Sequence, residues 1–367
     1  MSDIRPVKCL PGQFYTDPVV LDAEQTEIFS RTWQFVCHIE SLRNPGDYLV
    51  CDIGTENVIL ITDDDGTVRG FFNVCAHRAS RLLENCGNTR KITCPYHGWT
   101  YSKDGRLAAA PNASNVPGFD KGCYGLKSFP VEVVNGLVFA NIDGSAPDFE
   151  TFAPGLAQTL TRFSPNLGEL TFVHRTEATV KGNWKVAIEN FSECYHCALL
   201  HPDLVNRVIE FDCYRIHVHP HWHHHYSVAR HSDNQVYDYG EQGDQAEEFG
   251  ALWMWPNFAF QNYPGGAGHV WKWHPISESS THVTVDWYFQ STDLQPWQKD
   301  LITHHADYTF AEDLPIIEKV QSGLGSKHFV PGPVMADASS SELSEHGVAD
   351  IQGYWREHMH HWVESRT

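Results

Sequence analysis

The 367-residue chain is 41% hydrophobic and 13% aromatic, enough for two domains or one elaborated one. Its 46 acidic against 26 basic residues give a formal charge of −20, which argues against a nucleic-acid partner, since phosphate binding needs clustered Lys and Arg, and favours a cationic ligand. No window approaches about 18 uninterrupted apolar residues and no apolar run follows the first charges, so the sequence predicts no membrane span, no secretion signal and a soluble, cytoplasmic protein. Ten cysteines then read as reduced thiols or metal ligands rather than a disulfide framework.

In chain order, residues 1–40 form an N-terminal segment with a helix-like run, AEQTEIFSRTW, expected to pack on the C-terminal domain. From 41 to 145, short β-type runs (DYLVCDI, NVILITD, VRGFFNV, KITCPY, LVFANI) separated by Gly, Asp and Asn turns predict a small antiparallel β domain. From 146 to 367 the pattern mixes types. A helix is expected over 184–200, β-rich runs to Gln290 and helical periodicity from Trp297 to Leu324, an α+β region. A short polar stretch, Ala338 to Ser344, interrupts the C-terminal part.

Within the β domain, VCAHRASRLLENCGNTRKITCPYHGW contains Cys75-x-His77 and, 16 residues on, a second pair, Cys94 and His97. Two such pairs on neighbouring loops present four ligands to one centre. A Cys2His2 set suits a structural zinc. The repeated Cys-then-His order, on β-type segments rather than a helix, favours a [2Fe-2S] cluster with both thiolates on one iron and both imidazoles on the other. Neutral imidazoles in place of two thiolates lower the negative charge at the cluster, which then accepts an electron more readily. Cys86, between the pairs, reads as a structural thiol.

The segment NWKVAIENFSECYHCALLHPDL places Glu189, Glu193 and His196 on one helix face. His201 lies too far round for an ideal helix. A shared metal therefore requires the helix to bulge or end between the two histidines, and Pro202 is consistent with an end. Two His with one carboxylate make the facial triad that leaves positions on Fe(II) open for oxygen and substrate. Such an iron gives the electron of a cluster a destination. Candidates for the carboxylate are Asp313, Glu312 and Asp307, in ADYTFAEDLPIIEKVQSGL; Asp313 also fits an N-cap for a helix that Pro315 helps to start.

CAHR with CPYHGW, followed by ENFSECYHCALLHP, resembles the oxygenase component of the Rieske non-haem iron oxygenases. Through LWMWP, EDLPIIEKVQSGL and MADASSSELSEHGVA the chain is most similar to the carnitine-type subgroup, which cleaves C–N bonds of quaternary ammonium compounds. The resemblance implies an α+β chain: a Rieske domain, then a catalytic domain whose antiparallel sheet is covered by helices (helix-grip, Bet v1-like). It implies Cys75, His77, Cys94 and His97 on the [2Fe-2S] cluster, and His196, His201 and Asp313, ahead of Glu312 and Asp307, on a mononuclear Fe(II). Glu193 stands where aromatic-ring dioxygenases carry aspartate; by resemblance it hydrogen-bonds His97 of a neighbouring subunit in a homotrimer and links it to His196. O2 is the implied co-substrate, and the implied substrate is a quaternary ammonium or methylated amine. NAD(P)H enters only through a separate flavin and iron–sulfur reductase, in keeping with the lack of a G-x-G-x-x-G after any β-type run. An aromatic-ring dioxygenase is the alternative enzyme, disfavoured by Glu193. A Rieske-type electron carrier is the alternative of another class, disfavoured by the second ligand set beyond the cluster.

Three aromatic residues, Trp253, Trp255 and Tyr263, are candidates for a wall that attracts an ammonium group by cation–π interaction, worth about 0.5–2 kcal/mol. Trp253 with Trp255, and Trp271 with Trp273, alternate and so share strand faces. HVHPHWHHHY sets His217, His219, His221, His223 and His225 at alternate positions, which reads as one face of a strand, a row rather than a metal cage. Pro220 marks an edge or irregularity, and one or two of these histidines are left to line the pocket above the iron. Cys194 and Cys197 flank His196 and read as packing thiols.

Overall fold

The computed structural model describes residues 7–230, 236–240 and 248–366; the first six residues of the expected N-terminal segment lie outside them. Two compact units emerge, Phe29–Phe149, and Met1–Ile28 together with Glu150–Thr367. Among the described residues no helix is long and apolar enough to cross a membrane.

The first unit is built of small antiparallel sheets. Its largest has five strands in the order Cys86–Asn88, Asp47–Ile53, Glu56–Thr62, Val68–Phe72, Ser128–Phe129. The central strand Glu56–Thr62 is buried on both faces, with Val58, Ile59, Leu60 and Ile61 all at 0% exposure. Alternation divides them. Val58 and Leu60 enter a core with Val36, Leu42 and Val138, whereas Ile59 and Ile61 enter a second core with Cys75, Cys94, Trp99 and Tyr101. Each such side chain contributes about 1.5–3 kcal/mol, so the loops bearing the Cys/His pairs rest on a firm apolar base. Gln34–His38 pairs with Leu137–Ala140. That strand therefore belongs to this unit rather than to the N-terminal segment that was expected to run to residue 40. The helix-like run AEQTEIFSRTW breaks accordingly, its helical part ending at Phe29 and its last residues leading into the strand.

The second unit holds one seven-stranded antiparallel sheet in the order Thr171–Val180, Ser280–Phe289, Ala267–Ser277, Phe258–Tyr263, Glu248–Met254, Trp222–Val228, Arg215–His219. Helices Trp184–Phe191, Ala311–Leu324 and His346–Glu364 accompany it. Phe191, at the end of its helix, packs on Trp271 and Trp273 at 5.3 and 5.0 Å. Glu24 anchors the N-terminal helix Pro18–Glu24: its carboxylate accepts from Trp184 Nε1 (2.7 Å), Lys185 Nζ (2.6 Å) and Trp355 Nε1 (2.6 Å), with Glu24 at 0% exposure. Gly347 lets the helix His346–Glu364 approach the end of Trp184–Phe191 so closely that a Cβ would stand 2.4 Å from Ser192 O.

The histidine stretch is not one strand. It folds back as a hairpin through Pro220 and His221, the latter at φ 61. His217 then pairs with His224 and His219 with Trp222, while the buried His223 and His225 lie opposite the exposed Val218 and the buried Ile216. The single shared face expected from alternation is thus divided by the turn.

Candidate metal centres

Two loops with one hydrogen-bond pattern carry the first ligand set. Cys75 N donates to Ser80 O (2.9 Å) and Ala79 N to Cys75 O (3.0 Å); Cys94 N donates to Trp99 O (2.7 Å) and Gly98 N to Cys94 O (3.1 Å). Each loop turns through a left-handed residue at the same place, Ala79 at φ 58 and Gly98 at φ 68. The thiols of Cys75 and Cys94 are buried and not in a disulfide. The imidazoles lie outward, His77 exposed and His97 half-buried, with ring centroids 4.7 Å apart. Tyr101 OH accepts from Ala76 N and so offers its proton to Cys75 Sγ, 3.1 Å away. Burial opposes ionisation of Cys94, but donation from the N–H groups of Tyr96 and His97 outweighs it and holds the thiol below its ordinary value. Two buried thiols, neither in a disulfide, with two imidazoles toward the surface, suit a cluster bound through sulfur inside and nitrogen outside. Cys86 is exposed, on the edge strand.

The second set converges from two helical segments. The helix expected to continue to residue 200 ends at Phe191. Glu193 explains the break. Its Oε2 accepts from the backbone N–H of Tyr195 and of His196, an alternative to the helical ladder. Glu193 Oε1 also accepts from His196 Nδ1. The same turn brings the Cα atoms of Cys194 and Cys197 to 4.9 Å, and the two are joined in a disulfide, which corrects their reading as packing thiols. The helical run from Pro296 passes through a π-helical stretch, His305–Phe310, before Ala311–Leu324, so Asp313 lies inside a continuous run rather than at an N-cap.

His196 Nε2 and His201 Nε2 approach to 3.2 Å, and Asp313 Oδ1 lies 3.6 and 3.1 Å from them. Glu312, weighed as a rival ligand, instead accepts from His201 Nδ1 at 2.8 Å. Asp307 is exposed and outside the group. Each histidine thus commits its Nδ1 proton to its own glutamate, leaving two bare Nε2 lone pairs and a carboxylate oxygen facing one point. That arrangement is repulsive unless a cation lies between them. The donor set is that of the facial triad, and the paired glutamates set the tautomers. Asn190 Nδ2 donates to Asp313 Oδ1 at 3.3 Å.

A cavity of about 60 Å³ adjoins the triad, walled by Phe191, Tyr214, His225, Phe249 and Trp271. The proposed substrate residues Trp253, Trp255 and Tyr263 do not line it. Trp253 packs on His223 at 4.6 Å, Trp255 near Trp184 and His358, and Tyr263 between His269 and His305. Alternation identifies a strand's face but not how far along it the cavity opens; Trp271, on the face shared with Trp273, is the tryptophan that reaches it. A second cavity, of about 460 Å³, adjoins Glu193 and His196 and is lined by Tyr15, Glu189, Glu345 and apolar side chains. Burial pushes the Glu189 carboxyl up to about 7 despite hydrogen bonds from Tyr15 and Gln352.

Two family models match the sequence, the ring hydroxylating alpha subunit (catalytic domain) over residues 167–361 and the Rieske [2Fe-2S] domain over 32–130. The chain is 35% identical to the carnitine monooxygenase oxygenase subunit of Escherichia coli K12, over 93% of this chain and 91% of that one. It is 38% identical to the glycine betaine monooxygenase oxygenase subunit of Chromohalobacter salexigens over 55% of this chain and 45% of that one. Among solved structures, the quaternary ammonium Rieske monooxygenase CntA in complex with L-carnitine superposes with a TM-score of 0.83 at 33% identity, covering 96% of both chains. Naphthalene 1,2-dioxygenase from Rhodococcus sp. superposes at 0.80 with 20% identity, covering 95% of this chain and 94% of that one, a likeness of fold.

Proposed function

The chain belongs to the Rieske ring-hydroxylating oxygenase family, and from that premise we propose that it is the oxygenase component of a two-component monooxygenase acting on a quaternary ammonium or methylated amine. The observation that carries the reading is the convergence of His196, His201 and Asp313 beside an aromatic cavity, with Glu193 backing His196. His196, His201 and Asp313 would hold Fe(II), and Cys75, His77, Cys94 and His97 the [2Fe-2S] cluster; these groups supply electron transfer and oxygen activation when bound. Electrons come from NAD(P)H through a separate reductase, in the cytoplasm.

The protein's own part is orientation and exclusion. Glu193 and Glu312 hold the two imidazoles with Nε2 toward the shared point. Phe191, Phe249 and Trp271 keep the cavity apolar and offer π faces to a cation. The acids Glu193 and Asp313, with no Lys or Arg among the lining residues, favour positive charge there. In the overall reaction O2, two electrons and two protons convert a C–H next to nitrogen to C–OH and release water. The resulting hemiaminal then breaks its C–N bond to give an amine and a carbonyl compound. Carnitine would yield trimethylamine; glycine betaine or stachydrine would yield formaldehyde. Glu193 would also serve as the bridge from His97 of an adjacent subunit to His196 in a homotrimer.

The test is turnover of a panel comprising carnitine, γ-butyrobetaine, choline, glycine betaine, stachydrine and a monocyclic aromatic acid with a surrogate reductase, scoring trimethylamine and formaldehyde. Product from an ammonium compound is expected. Product from the aromatic acid alone would overturn the assignment. Metal analysis should find three Fe and two acid-labile sulfides per chain, on the order expected for one cluster plus one mononuclear iron, and zinc alone would refute both centres.

A further inference from the structure

One row of residues crosses the sheet beneath the triad. His225 pairs with Ala251, Ala251 with Gln261, and Gln261 with His269. Directly paired residues project to the same face, and the first three all line the triad cavity. Ala251, one methyl group, opens a floor between two larger polar side chains that stand two strand spacings apart, roughly 10 Å.

Both polar side chains have their hydrogen-bonding sense set from behind. His225 Nδ1 lies 2.6 Å from Tyr214 OH. No other described group accepts the Tyr214 proton, so the phenol donates to Nδ1 and the His225 proton resides on Nε2. That atom has no partner, and the side chain is 1% exposed. Gln261 Oε1 accepts from Trp271 Nε1 (2.9 Å) and His269 Nε2 (3.0 Å). Indole N–H is donor only, so the amide orientation is fixed. The Gln261 NH2 group finds no acceptor among the described residues. The floor therefore offers N–H donors from both ends and no acceptor.

The charges around it decide which acceptor suits. No Lys or Arg lines the cavity. Segments 231–235 and 241–247, outside the described residues, contain none in sequence either. A carboxylate placed on neutral donors near Glu193 and Asp313 would be desolvated with no Lys or Arg to pair with it, whereas a hydroxyl needs no such partner.

We propose that His225 and Gln261 form a neutral donor pair that selects, among ammonium compounds, those bearing an uncharged oxygen acceptor such as a hydroxyl. This rests on the assignment of an ammonium substrate to the cavity. The experiment compares butyltrimethylammonium, 4-hydroxybutyltrimethylammonium and γ-butyrobetaine, matched in chain length, by calorimetric binding to the iron- and cluster-loaded enzyme and by KM. The wild type should bind the hydroxyl compound about tenfold more tightly than the butyl compound, as expected of one or two satisfied hydrogen bonds, and more tightly than the carboxylate. Gln261→Met, close in length, removes the donors without giving the hydroxyl's own proton a new acceptor. It should erase the hydroxyl-to-butyl preference. His225→Phe with Tyr214→Phe, which leaves no stranded phenol, should do the same; both variants are checked for an unchanged cluster spectrum. Equal wild-type affinity for hydroxyl and butyl compounds, a preference for the carboxylate, or a ratio unchanged in both variants would overturn the proposal. Absence of binding by all three compounds would instead overturn the ammonium assignment beneath it.

Discussion

Glu312 shows what a single residue contributes beyond ligation. It accepts from His201 Nδ1 at 2.8 Å. Without it that proton loses its partner and the ring its fixed tautomer. Glu312→Ala should weaken iron retention about 10- to 100-fold, the usual cost of losing such a partner, measured as iron content after dialysis against a chelator with cluster absorbance unchanged. Glu312→Gln, which keeps an acceptor oxygen, should restore most of it; full occupancy in the alanine variant would refute the role. Glu189 gives a second, pH-dependent outcome. Burial raises its carboxyl from 4.5 to about 7, against Tyr15, Gln352 and the charge of Lys185, with Glu345 nearby acting in the same direction as burial. The native state then holds a proton that the unfolded chain has released, so the stabilisation is complete below about 4.5 and lost as pH rises toward 7. Glu189 adjoins a cavity, and discounting for its water leaves roughly 1–2 kcal/mol. Glu189→Gln should flatten the fall in Tm between pH 5.5 and 8, and an unchanged slope would count against it. The proposed ligand residues could be singled out from local spacing and family likeness because each lies in a short pattern. Glu312 was legible only as a rival to Asp313, since two adjacent carboxylates are told apart by helix phase, which the π-helical stretch before them alters.

At the scale of elements, the helix Trp184–Phe191 is held by a buried ion pair. Lys185 lies 2.6 Å from Glu24, both essentially unexposed, and burial depresses the lysine's pKa against the attraction of Glu24. Lys185→Met leaves a buried carboxylate with two indole donors and no countercharge, a loss of about 3–5 kcal/mol. Glu24→Gln combined with Lys185→Met should recover more than half of that in chemical denaturation, because neither charge is then stranded; additive losses would show that the two do not act as a pair. Periodicity placed helices and strands in the correct order and missed where they stop. The expected helix to Leu200 stops at Phe191 because Glu193 captures two backbone N–H groups, yet a glutamate at that spacing also fits a helix face, so the pattern conceals the stop. The histidine row failed for a similar reason: Pro220 was a visible irregularity, but only the left-handed His221 shows that the strand reverses there. The reversal sends His225 to the cavity.

For the whole molecule, the order of a Rieske unit followed by a catalytic unit was readable from motifs. The boundary was not: Gln34–His38 finds its partner about a hundred residues later, in Leu137–Ala140, and no local pattern announces so distant a pairing. The proposed homotrimer makes its own demand on this two-unit chain. If the cluster of one subunit serves the iron of the next through Glu193, the two halves of an active junction come from different chains. Cys94→Ala disables the cluster and His201→Ala the iron site, and either homotrimer alone should be inactive. In trimers assembled randomly from equal amounts of both, a junction works when the donor chain carries the intact cluster and the acceptor chain the intact iron site. Each condition is met half the time, so the unfractionated mixture should regain about a quarter of wild-type turnover per junction, and mixed trimers freed of homotrimers about a third. Differently tagged chains, purified through both tags, establish that mixed trimers are present, and iron analysis establishes that the Cys94→Ala chain keeps its mononuclear metal. Mixed trimers without turnover would place the electron path within one chain and refute the bridging role of Glu193, because no chain in such a mixture carries both intact centres.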